Sequence, residues 1–142
     1  MKKLLCLMVA LALFLPNLAA AQSVQAYVDQ GIENSQNGRY DQALKDFNQA
    51  LKLKPKDPAL FTYRGVVYYA KGQYDLAMKD FNQALEIDPK FGRAYYQRGM
   101  IYENQEKYAQ AVTEMKKAKS VGWFVDPVWL EILENKAAAK KK

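Results

Sequence analysis

The residues best suited to catalysis are scarce in this sequence. It contains no histidine, and its single cysteine, Cys6, falls in an apolar stretch near the amino terminus. An imidazole base, a histidine metal site and a thiol nucleophile are therefore missing from everything downstream. Carboxylates recur in pairs, Asp41 with Asp46 and Asp75 with Asp80. Each pair lies in a segment that occurs twice, so these acids read as helix caps and solvated faces rather than as an acid–base couple. Every glycine is accounted for by a turn or a close helix contact, which leaves no loop to cradle a phosphate. The expectation is a protein with no catalytic residues, no metal and no cofactor. The chemistry that remains is recognition, carried by ten tyrosines and a few arginines.

These side chains must be positioned by helices, because the apolar spacing throughout is three and four. Half of the 142 residues are apolar and a quarter are charged, the balance of a globular chain. The stretch from Gly38 to Leu51, GRYDQALKDFNQAL, returns from Gly72 to Leu85 as GQYDLAMKDFNQAL. Eleven of fourteen positions are identical at an offset of 34 residues. A looser third copy follows at the same offset, with Tyr108, Ala111, Met115 and Ala118. In the second unit Phe61, Gly65 and Tyr68 share one helix face, and Ala77, Phe81 and Ala84 share another. The small Gly65 and Ala77 let two helices approach closely. Lys71-Gly72-Gln73 supplies the turn between them, and Asp57-Pro58 supplies an N-cap and a first-turn proline.

This pattern of a large residue, Gly, Tyr, Ala, an aromatic, Ala and Pro resembles the tetratricopeptide repeat family. The resemblance implies an all-α solenoid of three helix-turn-helix repeats, over residues 24–57, 58–91 and 92–125, with a capping helix over 126–138 and a basic tail at 139–142. The first unit has Asn34 where the pattern wants an aromatic, and the third has Met115 for an aromatic and Trp123 for the closing proline. Arg64 and Arg98 stand where many repeats have leucine; their stems are expected to pack while the guanidinium reaches water. Asp126-Pro127 opens the last helix, whose apolar stripe is read as Val128, Trp129, Ile132 and Leu133. Residues 137–142 are expected to fray.

The amino terminus has the form of an export signal: Lys2-Lys3, an apolar run from Leu4 to Leu15, then Ala19-Ala20-Ala21. Twelve apolar residues are short for a membrane span of roughly 20. Cleavage after residue 21 is the expectation, giving a periplasmic or secreted protein without cysteine, and hence without disulfides. Removing Lys2 and Lys3 takes the 21 basic residues to 19 against 15 acidic ones, a net charge of +4. Lys136 and Lys140 to Lys142 account for that excess, which argues against a nucleic-acid surface. Stable membrane association is not expected either.

The family resemblance further implies that the first helix of each pair lines a concave groove. Groove residues on this numbering are Val28, Ile32 and Ser35, then Thr62, Val66 and Tyr69, then Arg93, Tyr96, Met100 and Glu103. A peptide or protein segment with a hydrophobic anchor is the expected partner. Chaperone-binding members of the family grip a terminal carboxylate with Lys, Asn and Arg side chains. The matching positions here hold Val28, Ile32, Tyr63, Arg93 and Gln97, of which only Arg93 suits a carboxylate. The alternative is a self-assembling structural subunit of an envelope complex, a homo-oligomer that uses the Trp123–Leu133 region as its contact, with Trp129 and Leu133 docking a second copy.

Overall fold

The computed structural model describes residues 23–140, and the proposed leader at 1–21 lies outside the described residues. All the regular structure described is helical. The chain divides into two compact units, Met1–Pro55 and Lys56–Lys142.

The first unit contains α1, residues 23–36, and α2, Tyr40–Leu53. The second contains α3 (Pro58–Ala70), α4 (Tyr74–Ile87), α5 (Gly92–Asn104), α6 (Tyr108–Ser120) and α7 (Pro127–Ala139). No described helix is long and apolar enough to cross a membrane.

Each tight turn follows from three residues at the same register, Gly38, Gly72 and Glu106. They take positive φ values of 71°, 73° and 56°. At each, the next amide reaches back across the turn: Arg39 N to Asn34 O at 2.8 Å, Gln73 N to Tyr68 O at 2.9 Å, and Lys107 N to Tyr102 O at 2.8 Å. This left-handed helix ending suits glycine and strains a glutamate. The other helix starts differ. Asp57 accepts from Ala59 N at 2.9 Å, and Asp126 accepts from Val128 N at 2.8 Å, each followed by a proline in the first turn. Asp41 and Asp75 sit in the first turns of α2 and α4, where the helix dipole favours an acid.

Within each pair, a missing side chain on one helix accommodates a large one on the other. A Cβ added to Gly31 would lie 2.7 Å from the Phe47 ring, and one added to Gly65 would lie 2.5 Å from the Phe81 ring. In the third pair the equivalent atom at Gly99 would meet the Met115 methyl at 2.5 Å. Phe47, Phe81 and Met115 are all buried, as are the alanines one turn either side of each. Buried Ala94 and Ile101 of α5 complete the α4 core. Val125, Leu130 and Leu133 close the core over α6.

Two readings of charged residues are corrected by these packings. Asp46, Asp80 and Glu114, again 34 residues apart, are buried rather than solvated. Arg64 and Arg98 do not simply reach water. Arg64 binds Asp80 through Nε to Oδ2 at 2.8 Å and Nη2 to Oδ1 at 2.6 Å. Arg98 binds Glu114 through Nη2 at 2.8 Å and Asn82 on α4 through Nη1 at 2.9 Å. In the first unit Asn34 takes the arginine's role, donating to Asp46 at 2.7 Å. That explains why no aromatic stands there.

Candidate functional site

In the second unit the candidate surface is carried by α3 and α5, the first helices of their pairs. Arg93 opens α5, and its guanidinium lies over the Tyr63 ring of α3 at 4.9 Å from the centroid. Both residues are half-buried, as is Gln97 one turn along α5. The stacking holds a long cationic side chain in one place. Of the four arginines, Arg93 alone has no carboxylate partner among the described residues; Arg39, Arg64 and Arg98 each have one.

The residues of the expected strip lie in different surroundings. Val66 and Tyr69 are half-buried and pack against the α4 core, and the Tyr69 and Tyr74 rings meet at 5.5 Å. Tyr96 lies between two indoles, with its ring 6.4 Å from Trp123 and 5.7 Å from Trp129. Met100 packs against the Leu130–Leu133 core. Glu103 accepts from the Trp129 indole nitrogen at 3.4 Å and lies 4.0 Å from Lys136 Nζ. The third-repeat end of the strip is thus lined by the chain's own carboxy-terminal segment. In the first unit Ile32 and Ser35 are half-buried on α1.

Two of the expected groove residues do not reach the surface. Thr62 is fully buried, and its hydroxyl donates to the Pro58 carbonyl at 2.9 Å. Val28 is 8% exposed and belongs to the core. One position in the first-helix register faces a neighbouring helix and the next turns toward the open side. Small shifts in that register separate Thr62 from Tyr63, and sequence spacing alone did not resolve them. Tyr63 and Gln97, expected only as positions where a carboxylate clamp is missing, are half-buried on α3 and α5.

The last helix is also corrected. Its buried residues are Leu130 and Leu133, with Trp129 half-buried, whereas Val128 and Ile132 are 63% and 47% exposed. Leu133 has no exposed surface, so it cannot dock a second copy. The carboxy terminus does not fray from residue 137: α7 continues through Ala139. Lys140 Nζ donates to the Glu106 carbonyl at 2.9 Å, and the Lys136 and Lys140 ammonium groups stand over the Tyr108 ring. Among the described residues no three His, Cys, Asp or Glu side chains gather as metal ligands.

Comparison with known proteins agrees with this architecture. Two family models, both described as tetratricopeptide repeat, match residues 28–90 and 81–113 and together span more than half of the chain. The sequence matches none of the curated proteins compared with it. Among solved structures, the first TPR of Spaghetti (RPAP3) bound to the HSP90 peptide SRMEEVD is similar at 20% identity and a TM-score of 0.73. That match covers 85% of this chain and 95% of the other. The TPR2B domain of yeast Sti1, in a pHsp70 complex, is 22% identical with a TM-score of 0.72, covering 84% and 98%. MamA is 28% identical with a TM-score of 0.63, covering 69% of this chain and 57% of its own.

Proposed function

The chain belongs to the tetratricopeptide repeat family, and on that premise we propose that it is a non-catalytic module that receives a peptide or protein segment on the strip carried by α3 and α5. The observation that carries this reading is the Arg93–Tyr63 stack: a cation held in place, without an acidic partner among the described residues, one turn from Gln97 on α5. A side chain fixed by packing loses little entropy when a ligand engages it. Similar folds, one bound to the HSP90 peptide SRMEEVD and one in a pHsp70 complex, support the reading. The terminal-carboxylate clamp of chaperone-binding family members is not carried over, since Val28 is buried and Tyr63 and Gln97 stand in place of its amide and basic groups.

The module is proposed to act in the periplasm or outside the cell, on the strength of the leader-like residues 1–21. Mass spectrometry of the protein recovered from separated periplasmic and cytoplasmic fractions tests this: a periplasmic form with its amino terminus at Gln22 supports export, and an intact Met1 form confined to the cytoplasm overturns it. The groove is tested by affinity capture from the periplasmic fraction with the native protein and with the Arg93→Gln/Tyr69→Ala variant. A partner kept by the native protein and lost by the variant supports the strip. Equal retention by both forms overturns it.

A further inference from the structure

Helix α7 is built as another first helix of a repeat. Asp57-Pro58 and Asp126-Pro127 form the same cap, and α3 and α7 are each 13 residues long. Aligning the prolines places Val128 at the position of Ala59 and Arg93, and Ile132 at the position of Tyr63 and Gln97. Those are the positions that meet in the Arg93–Tyr63 stack.

The same alignment shows what ends the stack. On α5 the face turned toward α7 carries Tyr96, Met100 and Glu103. Its counterpart on α7 carries Glu131, Asn135 and Ala138, all exposed. Where the other first helices have the glycine that admits a second helix, α7 has Glu134, paired with Lys116 at 2.7 Å. A polar end face and a charge at the glycine position are what a terminal cap requires. Neither requirement accounts for Val128 and Ile132. A cap that only met solvent would be polar there as well, yet both are large, apolar and open.

We infer that the binding strip continues onto α7, that Val128 and Ile132 contact the ligand, and that the segment bound there carries a large apolar side chain and an acidic one. This rests on the groove reading above. The acid is assigned by charge complementarity to Arg93, the arginine without a carboxylate among the described residues. The apolar side chain is assigned to the Val128–Ile132 wall. Adjacent helix axes lie about 10 Å apart. In an extended segment that separation corresponds to about three residues between the acid and the anchor.

The test uses the protein purified as cells process it, and a random peptide library displayed on phage as the probe. Enriched peptides are then synthesised and titrated against four forms: native, Val128→Ser/Ile132→Ser, Arg93→Gln and Tyr69→Ala. Because Val128 and Ile132 are exposed, the serine variant should keep the native melting temperature. The inference expects enriched peptides to combine Asp or Glu with Leu, Ile, Phe or Trp. It expects the serine variant to bind them about 10-fold more weakly, the loss of a hot-spot contact. Arg93→Gln should weaken binding most at low ionic strength. If Tyr69→Ala loses the peptides and the serine variant binds them at full strength, the groove stands and its extension onto α7 is overturned. If the enriched peptides lack an acid, the chemistry assigned to Arg93 is overturned. If nothing is enriched, or no variant changes affinity, the groove reading falls and this inference falls with it.

Discussion

Arg64 holds Asp80 through two parallel hydrogen bonds of 2.8 and 2.6 Å, whereas Arg98, one repeat later, holds Glu114 through one bond of 2.8 Å. The glutamate is longer by one methylene, and the difference strands two atoms. Arg98 Nε and Glu114 Oε2 are buried without a hydrogen-bond partner. The same register therefore contains a satisfied ion pair and a half-satisfied one, and the repeat supplies its own control.

Removing the acid of the satisfied pair should be costly. Asp80 is 4% exposed, so Asp80→Ala leaves the Arg64 charge without its partner in a largely dry site. The expected loss is about 3 kcal/mol in urea unfolding. Asp75→Ala, at an exposed first-turn position, should cost about 0.5 kcal/mol. The Asp80 hydrogen bond raises the Arg64 pKa above its ordinary value. A raised folded-state pKa gives stability that is complete below the unfolded value and is lost as pH rises through the folded one. The Arg64 contribution should thus stay constant through neutral and mildly alkaline pH and fade only beyond the arginine range. Equal losses for Asp80→Ala and Asp75→Ala would mean the pair contributes nothing specific.

Shortening the acid of the unsatisfied pair should help. Glu114→Asp reproduces the residue that gives the two-bond geometry at Asp80, and it should let Arg98 Nε find an acceptor. The expected gain is about 1 kcal/mol, the net value of one buried hydrogen bond. Loss of the 3.8 Å Lys117 contact subtracts little, because that lysine is exposed. A destabilised variant would show that Asn82 and Glu114 already fix Arg98 in its best position.

The tight-turn register offers a third measurement. Gly38 and Gly72 adopt positive φ freely, but Glu106 does so at 56° with a side chain attached. Glu106→Gly should raise stability by about 1 kcal/mol by relieving left-handed strain. The substitution removes the 3.2 Å contact from the Glu106 carboxylate to Lys140 but keeps the 2.9 Å bond from its carbonyl. A fall in melting temperature would mean that the carboxylate contact to α7 outweighs the strain.

The fold was legible because the 34-residue offset is exact, and because glycine and phenylalanine types at fixed spacing leave little freedom in how two helices meet. The Asp-Pro caps of α3 and α7 were equally plain. The Arg64–Asp80 pair was not, since residues 16 apart on different helices show no local pattern and a repeated acid looks like a repeated surface. For the candidate site, the helices that carry it were legible but the burial of each residue was not. Thr62 and Tyr63 are neighbours in sequence, yet one is sealed in the core and the other carries the stacked Arg93. Val128 and Leu133 read as one stripe, whereas the structure turns them to opposite sides of α7.

The glycine contacts should separate a rigid neighbour from a flexible one. At Gly65 an added methyl would lie 2.5 and 2.9 Å from two carbons of the Phe81 ring. Phe81 is fully buried, so the ring cannot turn aside without moving α4 away from α3. Gly65→Ala should therefore cost about 3 kcal/mol, the upper end of overpacking. At Gly99 the atom 2.5 Å away is the terminal methyl of Met115, at the end of an unbranched chain with three rotatable bonds. Gly99→Ala should cost about 1 kcal/mol as that methyl swings aside. Introducing Met115→Phe with Gly99→Ala restores the rigid neighbour and should return the larger penalty. If Gly65→Ala and Gly99→Ala unfold at the same urea concentration, side-chain rigidity does not set how closely these helices pair.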